Sequence, residues 1–270
     1  MVTGSLQRGL ELLLRDYCSR GNRLMSRERV KEAWQNYWAQ QRDHEIYLDE
    51  MSKAIISELE DICGYLRGKR VLEAGCGRGI ISARMAELGA EVYLLDISEE
   101  ALQIARKHFI AKNLHAMFLH GDILDLPFRE SRFDLVWNAG VMEHFEEADQ
   151  LIALQGIAKI IKPAGLFITF NPYAGAFFYS IGKKYAEKKG IWPYGPEFPV
   201  KSLGEGCRVA GLKVLREYPI CFKENLSYLS YVSKHLRSIV KLILLPFSKR
   251  FLMKIFGGYL LVTIGVKQQR

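Results

Sequence analysis

The residues best able to do chemistry gather in four short runs of this chain. The first is Glu73-Ala74-Gly75-Cys76-Gly77-Arg78-Gly79, an E-x-G-x-G-x-G pattern. Glycines so spaced let backbone approach a ligand closely, while the amides of a following helix point at it. The third glycine comes one residue early for the dinucleotide fingerprint, which disfavours NAD or FAD, and no phosphate-binding G-x-x-x-x-G-K-[ST] loop occurs. The second run centres on Asp96, 17 residues past Gly79; a carboxylate there can accept both hydroxyls of a ribose. In the third, Gly121-Asp122-Ile123, the acid can accept an adenine amino group. Ile97 and Ile123 follow the two acids and are spaced to sandwich a purine. The fourth is Asn138-Ala139-Gly140-Val141-Met142-Glu143-His144-Phe145, where the neutral imidazole of His144 could take an acceptor's proton near pH 7. Each run also has a plainer reading. A strand-terminal Asp can cap the next helix, with Ser98 available for that role beside Asp96; Glu73 can order the amides of its own turn; and His144 can simply open a helix with Glu143.

The elements that must hold these runs are legible. Short apolar strands are expected at Arg70–Glu73, Glu91–Asp96, Ala116–His120, Phe133–Trp137 and Gly165–Phe170. Helices are expected at Ile80–Leu88, from Ser98 to about Lys112, and from about Glu146 to Ile161, the last stopped by Pro163. Alternating strands and helices of this kind make a parallel sheet covered on both faces. Ahead of it, Gln7 to Leu66 reads as helical, with Leu48, Met51, Ile55, Leu59 and Ile62 on one face. Beyond Phe170, the aromatic, proline-rich stretch Asn171–Pro199 reads as a lid or pocket wall. A helix at Leu203–Val209 and strands at Leu212–Tyr218 and Tyr259–Val266 complete the chain, with an insertion, Pro219–Gly258, between the last two strands.

From Leu66 to Phe170 the sequence resembles the class I S-adenosylmethionine-dependent methyltransferases and is most similar to their quinone-biosynthesis-like, small-molecule (type 11) branch. The four runs, in order, carry the resemblance. It implies an α/β fold: a doubly wound, seven-stranded, mostly parallel, Rossmann-like sheet closed by an antiparallel strand, with N-terminal helices and a helical insertion before that strand. It implies S-adenosylmethionine as cofactor, with Glu73, Gly75, Gly77 and Gly79 around its methionine end. Asp96 would then take the ribose, Asp122 the adenine amine, and Asn138 the amino-acid part through its backbone. The N-terminal segment, residues 1–66, would fold over the cofactor and bring Tyr37 near the sulfonium, while residues 67–270 form the methyltransferase domain. Pro163-Ala164-Gly165 stands where the family has Pro-Gly-Gly, a turn change that touches no ligand. Asn171-Pro172-Tyr173 resembles the N-P-P-Y box of amino-methylating nucleic-acid enzymes, but it follows the fifth strand rather than the fourth and is not read as that box.

Charge sharpens the picture. The formal net charge is +8, yet Met1–Ile220 carries 29 basic and 29 acidic residues. The last fifty residues carry nine basic residues and one acid, Glu224. A neutral enzyme body with a basic appendage fits this better than a nucleic-acid binder. Within Asn225–Pro246 one basic amphipathic helix is expected, with Leu226, Leu229, Val232, Leu236, Ile239, Ile243 and Leu244 on its apolar face. Phe251–Phe256 continues the mixture. This helix is either a lid or, over residues 226–256, a peripheral contact with anionic membrane. The five cysteines show no pairing or zinc-ligand spacing, so no disulfide framework or metal is expected. No secretory leader and no run of about 18 uncharged apolar residues is evident; with the unpaired cysteines, a cytoplasmic chain, at most on a membrane surface, is expected. The function expected is methyl transfer to a small, apolar or aromatic acceptor by direct in-line displacement. The alternatives are RNA methylation through the basic segment and a non-catalytic cofactor-binding module.

Overall fold

A computed structural model of the chain describes residues 28, 31–41, 47–193 and 197–268. Seven strands make one sheet: β1 (Arg70–Ala74), β2 (Glu91–Asp96), β3 (Met117–His120), β4 (Phe133–Ala139), β5 (Ile161–Pro172), β6 (Leu212–Ile220) and β7 (Leu260–Lys267). Their order is β3-β2-β1-β4-β5-β7-β6. Strands β1 to β5 pair in parallel, and β7 runs antiparallel to β5 and β6. The order reverses between β1 and β4, and a doubly wound sheet opens its ligand crevice at such a point, beyond the carboxyl ends of the strands.

The inner strands are apolar on both faces, and alternation divides them between two cores. Val71, Leu94, Trp137 and Phe170 face one side, against α2 (Glu50–Cys63), α3 (Ile80–Glu87) and α4 (Glu99–Ala111). Leu72, Leu95, Val136 and Phe167 face the other, against α5 (Glu147–Ile160) and α7 (Gly204–Val209). Helix α2 starts where the Asp49 side chain accepts the Ser52 N–H at 2.7 Å, and it buries Ile55 and Leu59. Each of those side chains stabilises the fold by about 2 kcal/mol. Leu48, expected on that face, precedes the cap and is exposed. Residues 31–40 form a further helix, α1, while residues 7–27, 29–30 and 42–46 of the expected helical segment lie outside the described residues.

Two expectations are corrected. Glu143-His144 does not open a long helix: Met142–His144 is a single 3-10 turn, and α5 begins after Glu146. The aromatic stretch after β5, expected as a lid or pocket wall, contains a helix, α6 (Phe177–Lys188). The second correction is to the insertion, which is not one helix but α8 (Phe222–Ser227), a 3-10 turn (Tyr228–Tyr231), α9 (Lys234–Leu244) and α10 (Lys249–Phe256). The break has two physical causes. Ser233 is extended, and its side chain accepts the Leu236 N–H, starting α9 afresh. The Tyr228 carbonyl packs so closely on α6 that a Cβ at Gly182 would lie 2.2 Å from it. Leu226, Leu229 and Leu252 then turn inward with Phe178 and Phe222 as a third apolar cluster. Among the described residues, no helix is long and apolar enough to cross a membrane.

Candidate active site

A cavity of 770 Å³ opens at the carboxyl ends of β1, β2 and β4. Glu73, Gly75, Gly77, Gly79, Asp96, Ile97, Asp122, Ile123, His144 and Tyr37 all border it. The local causes are readable. Gly75 takes φ +91°, and a Cβ there would lie 2.5 Å from Val141 Cγ2, so only glycine lets the loop pass under the turn after β4. Asp96, 6% exposed, accepts the Gly77 N–H at 2.8 Å on Oδ2 and the Ser98 N–H at 2.9 Å on Oδ1. Ser98 caps α4 through the Ala101 N–H, so capping falls to the serine and Asp96 stays at the cavity. Burial raises the Asp96 carboxyl, and those backbone amides pull it back. Asp122 sits half-buried, and its Oδ1 accepts the Leu124 N–H at 2.9 Å.

Asn138 is the exception. Strand alternation turns its side chain into the sheet, fully buried, where Oδ1 accepts the Thr169 hydroxyl, and Ala139, Gly140 and Val141 border the cavity instead. The polar chain continues: Asn171 donates to Thr169 Oγ1 at 2.8 Å and accepts the Met142 N–H at 3.2 Å. Asn171 is thus a buried brace for the turn that carries His144.

Helix α1 closes the other side. Trp34 meets the His144 ring edge-on, with centroids 5.1 Å apart, and also packs against Tyr37 and Trp38. Trp38 covers the glycine loop so closely that a Cβ at Gly77 would lie 2.7 Å from it. Arg78 lies 5.9 Å from the Trp38 ring and donates to Gln41 at 2.6 Å.

The lining is acidic. Glu73 is 5% exposed, its Oε2 has no hydrogen-bond partner, and burial, with the nearby Asp96 charge adding, holds its carboxyl well above the usual range. Burial likewise holds the Cys76 thiol well above its usual value, so it is not a thiolate nucleophile. Two acids were missed by the sequence reading. Glu143 borders the cavity beside His144, buried, with Oε2 unpartnered. Glu197 arrives from more than fifty residues further along the chain, and its carboxylate lies within 4.8 Å of donor atoms of both. A glutamate next to His144 looked like an ordinary helix start, and nothing near Glu197 in sequence marks it.

Residues 71–165 match the family model described as a methyltransferase domain. The chain is 30% identical over 175 residues to the ubiquinone biosynthesis O-methyltransferase of Azoarcus sp., covering 62% of this chain and 74% of that protein. It is 32% identical over 155 residues to the protein of the same name from Aromatoleum aromaticum, covering 55% and 65%. To that of Bordetella avium it is 29% identical over 162 residues, covering 57% and 66%. In the latter two, the chain spans just under two thirds of the relative's length. Among solved structures, the magnesium protoporphyrin IX methyltransferase of Synechocystis PCC 6803 aligns with TM-score 0.59 at 16% identity, covering 90% of this chain and 100% of that one. The 1,6-didemethyltoxoflavin-N1-methyltransferase of Burkholderia thailandensis aligns with TM-score 0.57 at 18% identity, covering 88% and 87%. The solved structures share the fold; identity of 30% across three quarters of the Azoarcus protein carries the family, and this chain belongs to the class I S-adenosylmethionine-dependent methyltransferases of the small-molecule branch.

Proposed function

We propose that the chain transfers a methyl group from S-adenosylmethionine to a hydroxyl of a small, apolar or aromatic acceptor by direct in-line displacement. One observation carries this reading: a single cavity gathers Glu73, Asp96 and Asp122 from three strand ends and meets an aromatic wall from α1. The cavity residues fit that cofactor. Its sulfonium and ammonium groups are cationic, and the lining offers a buried, unpartnered carboxyl oxygen at Glu73. When bound, the cofactor supplies an electrophilic methyl group on sulfur. The relatives' name, O-methyltransferase, supports oxygen as the accepting atom.

In this reading Glu73 and the backbone at Gly75, Gly77 and Gly79 hold the methionine end, with Ala139 and Gly140 taking the part expected of Asn138. Asp96 accepts the ribose hydroxyls and Asp122 the adenine amine, between Ile97 and Ile123. The aromatic face of Tyr37 favours the positive sulfur. His144 takes the acceptor proton, and the surrounding wall excludes water. Holding acceptor and methyl in line supplies much of the acceleration. Of the segment 1–66, the described residues 31–41 and 47–55 act as a cover over the cofactor, and 67–270 form the catalytic domain.

We assign the insertion to contact with anionic membrane, where an apolar acceptor would reside. Leu242, Ile243 and Leu245 are exposed on α9 and just after it, and Phe251 and Ile255 on α10, interleaved with Lys241, Lys249, Arg250 and Lys254. Such apolar surface favours a lipid interface over RNA, which would leave it in water.

The test of function is transfer of label from methyl-labelled S-adenosylmethionine into lipid and metabolite extracts, followed by identification of the labelled product. A labelled apolar or aromatic methyl ether is expected. Absence of label, with S-adenosylhomocysteine still bound, would favour the non-catalytic module.

A further inference from the structure

Glu197 belongs to none of the four motif runs, yet the fold delivers it beside Glu143 and His144, which border the cavity. Its segment is stitched down by backbone hydrogen bonds: Phe198 N–H donates to the Glu143 carbonyl at 2.6 Å, and Val200 N–H donates to that of Pro172 at 2.8 Å. In consequence a Glu197 carboxylate oxygen, a Glu143 carboxylate oxygen and an imidazole nitrogen of His144 all lie within 4.8 Å of one another. From α6 the Tyr179 hydroxyl donates to Glu197 Oε2 at 3.0 Å. Lys183, one turn on, faces the same carboxylate and pairs with Glu187, whose side chain reaches solvent. The Glu197 carboxylate thus stands between an imidazole at the cavity and the Lys183–Glu187 pair, of which Glu187 reaches solvent.

We propose that Glu197 is a positioning residue for proton transfer: its carboxylate, held by Tyr179, stabilises the imidazolium formed on His144 when the acceptor hydroxyl gives up its proton. The proposal rests on His144 as the proton acceptor. In the step, the acceptor O–H bond breaks and its proton passes to the imidazole nitrogen. The oxygen lone pair forms the bond to the methyl carbon, and the carbon–sulfur pair stays on sulfur. The positive charge thus moves from sulfur to the imidazole, and an anion within about 4–6 Å favours the charged ring by one or more pKa units.

The surrounding groups leave Glu197 suited to that task and Glu143 less so. Burial, with the Glu197 charge adding, raises the Glu143 carboxyl well above the carboxylate range and so disfavours its charged form. Burial also raises Glu197, to about 7, against the pull of the Tyr179 hydrogen bond and the Lys183 ammonium. Glu187 on α6, Tyr231 in the 3-10 turn and Tyr259 ahead of β7 are the other titratable groups that feel it. Its charge is therefore available at and above neutral pH.

The test uses the full chain labelled with [15N]histidine, in buffer with a metal chelator, with and without S-adenosylhomocysteine. His144 is assigned from His144→Gln, and its imidazole is titrated by NMR in wild type, Glu197→Gln and Tyr179→Phe. The His144 pKa is expected to fall by about one unit in Glu197→Gln, with S-adenosylhomocysteine affinity retained. Tyr179→Phe, which deletes only the hydroxyl that lowers the carboxyl, should move the coupled carboxyl titration upward. On the acceptor identified from labelled extract, Glu197→Gln should lower kcat at least tenfold with little change in KM for S-adenosylmethionine, and Glu197→Asp should restore part of it. An unmoved His144 pKa in folded Glu197→Gln, where His144→Gln is inactive, overturns the role of Glu197 alone. Full turnover by His144→Gln overturns the proton-acceptor reading and this proposal with it.

Discussion

The carboxylate that ends β2 holds the glycine loop that follows β1: Asp96 Oδ2 accepts the Gly77 N–H at 2.8 Å. One residue thus shapes the loop and, in the function proposed, also grips the ribose, its other oxygen meanwhile accepting the Ser98 N–H. Charge-assisted hydrogen bonds contribute about 1.5–3 kcal/mol each. Asp96→Ala is therefore expected to weaken S-adenosylhomocysteine binding about 100-fold or more by isothermal titration, and to lower the melting temperature of the unliganded protein as well. Unchanged affinity would remove Asp96 from the ligand site.

Glu73 links binding to protons. Its carboxyl sits well above the usual range because it is buried, and a cation brought beside it favours the ionised form. Binding of S-adenosylmethionine should therefore release protons and tighten as pH rises, until Glu73 is ionised in the free protein too. S-adenosylhomocysteine, which lacks the sulfonium charge, should release fewer. Calorimetry in buffers of different ionisation enthalpy reads the difference directly, and Glu73→Gln should abolish it. Equal heats for both ligands in every buffer would contradict this assignment.

Ala164 is a stability defect with a simple repair. It adopts φ +61° in the exposed turn within β5, a left-handed conformation that costs a residue with a Cβ roughly 1–2 kcal/mol. Ala164→Gly should raise stability by up to about 1 kcal/mol in denaturant unfolding, because some of the gain is offset by the greater freedom of glycine in the unfolded chain. Ligand affinity should stay the same, since the turn lies away from the cavity.

Glu197 gives stability a pH dependence. Its folded carboxyl is raised by burial from 4.5 to about 7, so the folded chain binds more protons than the unfolded chain between those values. The stabilisation is complete below 4.5 and is lost as pH rises through 7. Melting temperature should thus decline across this window in wild type and decline less in Glu197→Gln. A steeper decline in the variant would reverse the sign and contradict the shift.

What the sequence revealed and concealed follows from the range of the interactions. Strands β1, β2, β4 and β5 are largely buried and read as apolar runs, and the glycine loop, Asp96 and Asp122 sit at strand ends, within a few residues of the elements that place them. Asn138 was expected to meet the ligand through its backbone, but Ala139 and Gly140, one and two residues on, border the cavity, and its side chain is buried against Thr169. Glu197 reaches His144 only because the backbone between them folds back through the Phe198–Glu143 and Val200–Pro172 hydrogen bonds, which no local pattern encodes. The insertion kept helical periodicity through Ser227–Ser233, so its break was invisible: the contact of Tyr228 with α6 that helps cause it is tertiary.

That break sharpens the membrane assignment. A continuous helix would have offered one apolar stripe, including Leu226 and Leu229. In the folded chain those two residues are buried with Phe178 and Phe222, so only the distal part, α9 and α10, remains to meet lipid. Leu242 and Leu245, 71% and 72% exposed, are therefore the membrane-facing candidates, and Lys241 and Lys254 are the candidates for the headgroups. Each basic residue near an anionic surface contributes about 1 kcal/mol, which salt screens. Wild type should co-sediment with phosphatidylglycerol vesicles far more than with phosphatidylcholine vesicles, and less as salt rises. Lys241→Glu with Lys254→Glu should weaken binding by at least tenfold, and Leu242→Ser with Leu245→Ser should weaken it at every salt concentration. Both exposed pairs lie outside the cavity lining, so S-adenosylhomocysteine affinity should be unchanged in either variant. Equal binding to the two vesicle types would leave α9 and α10 as a lid alone.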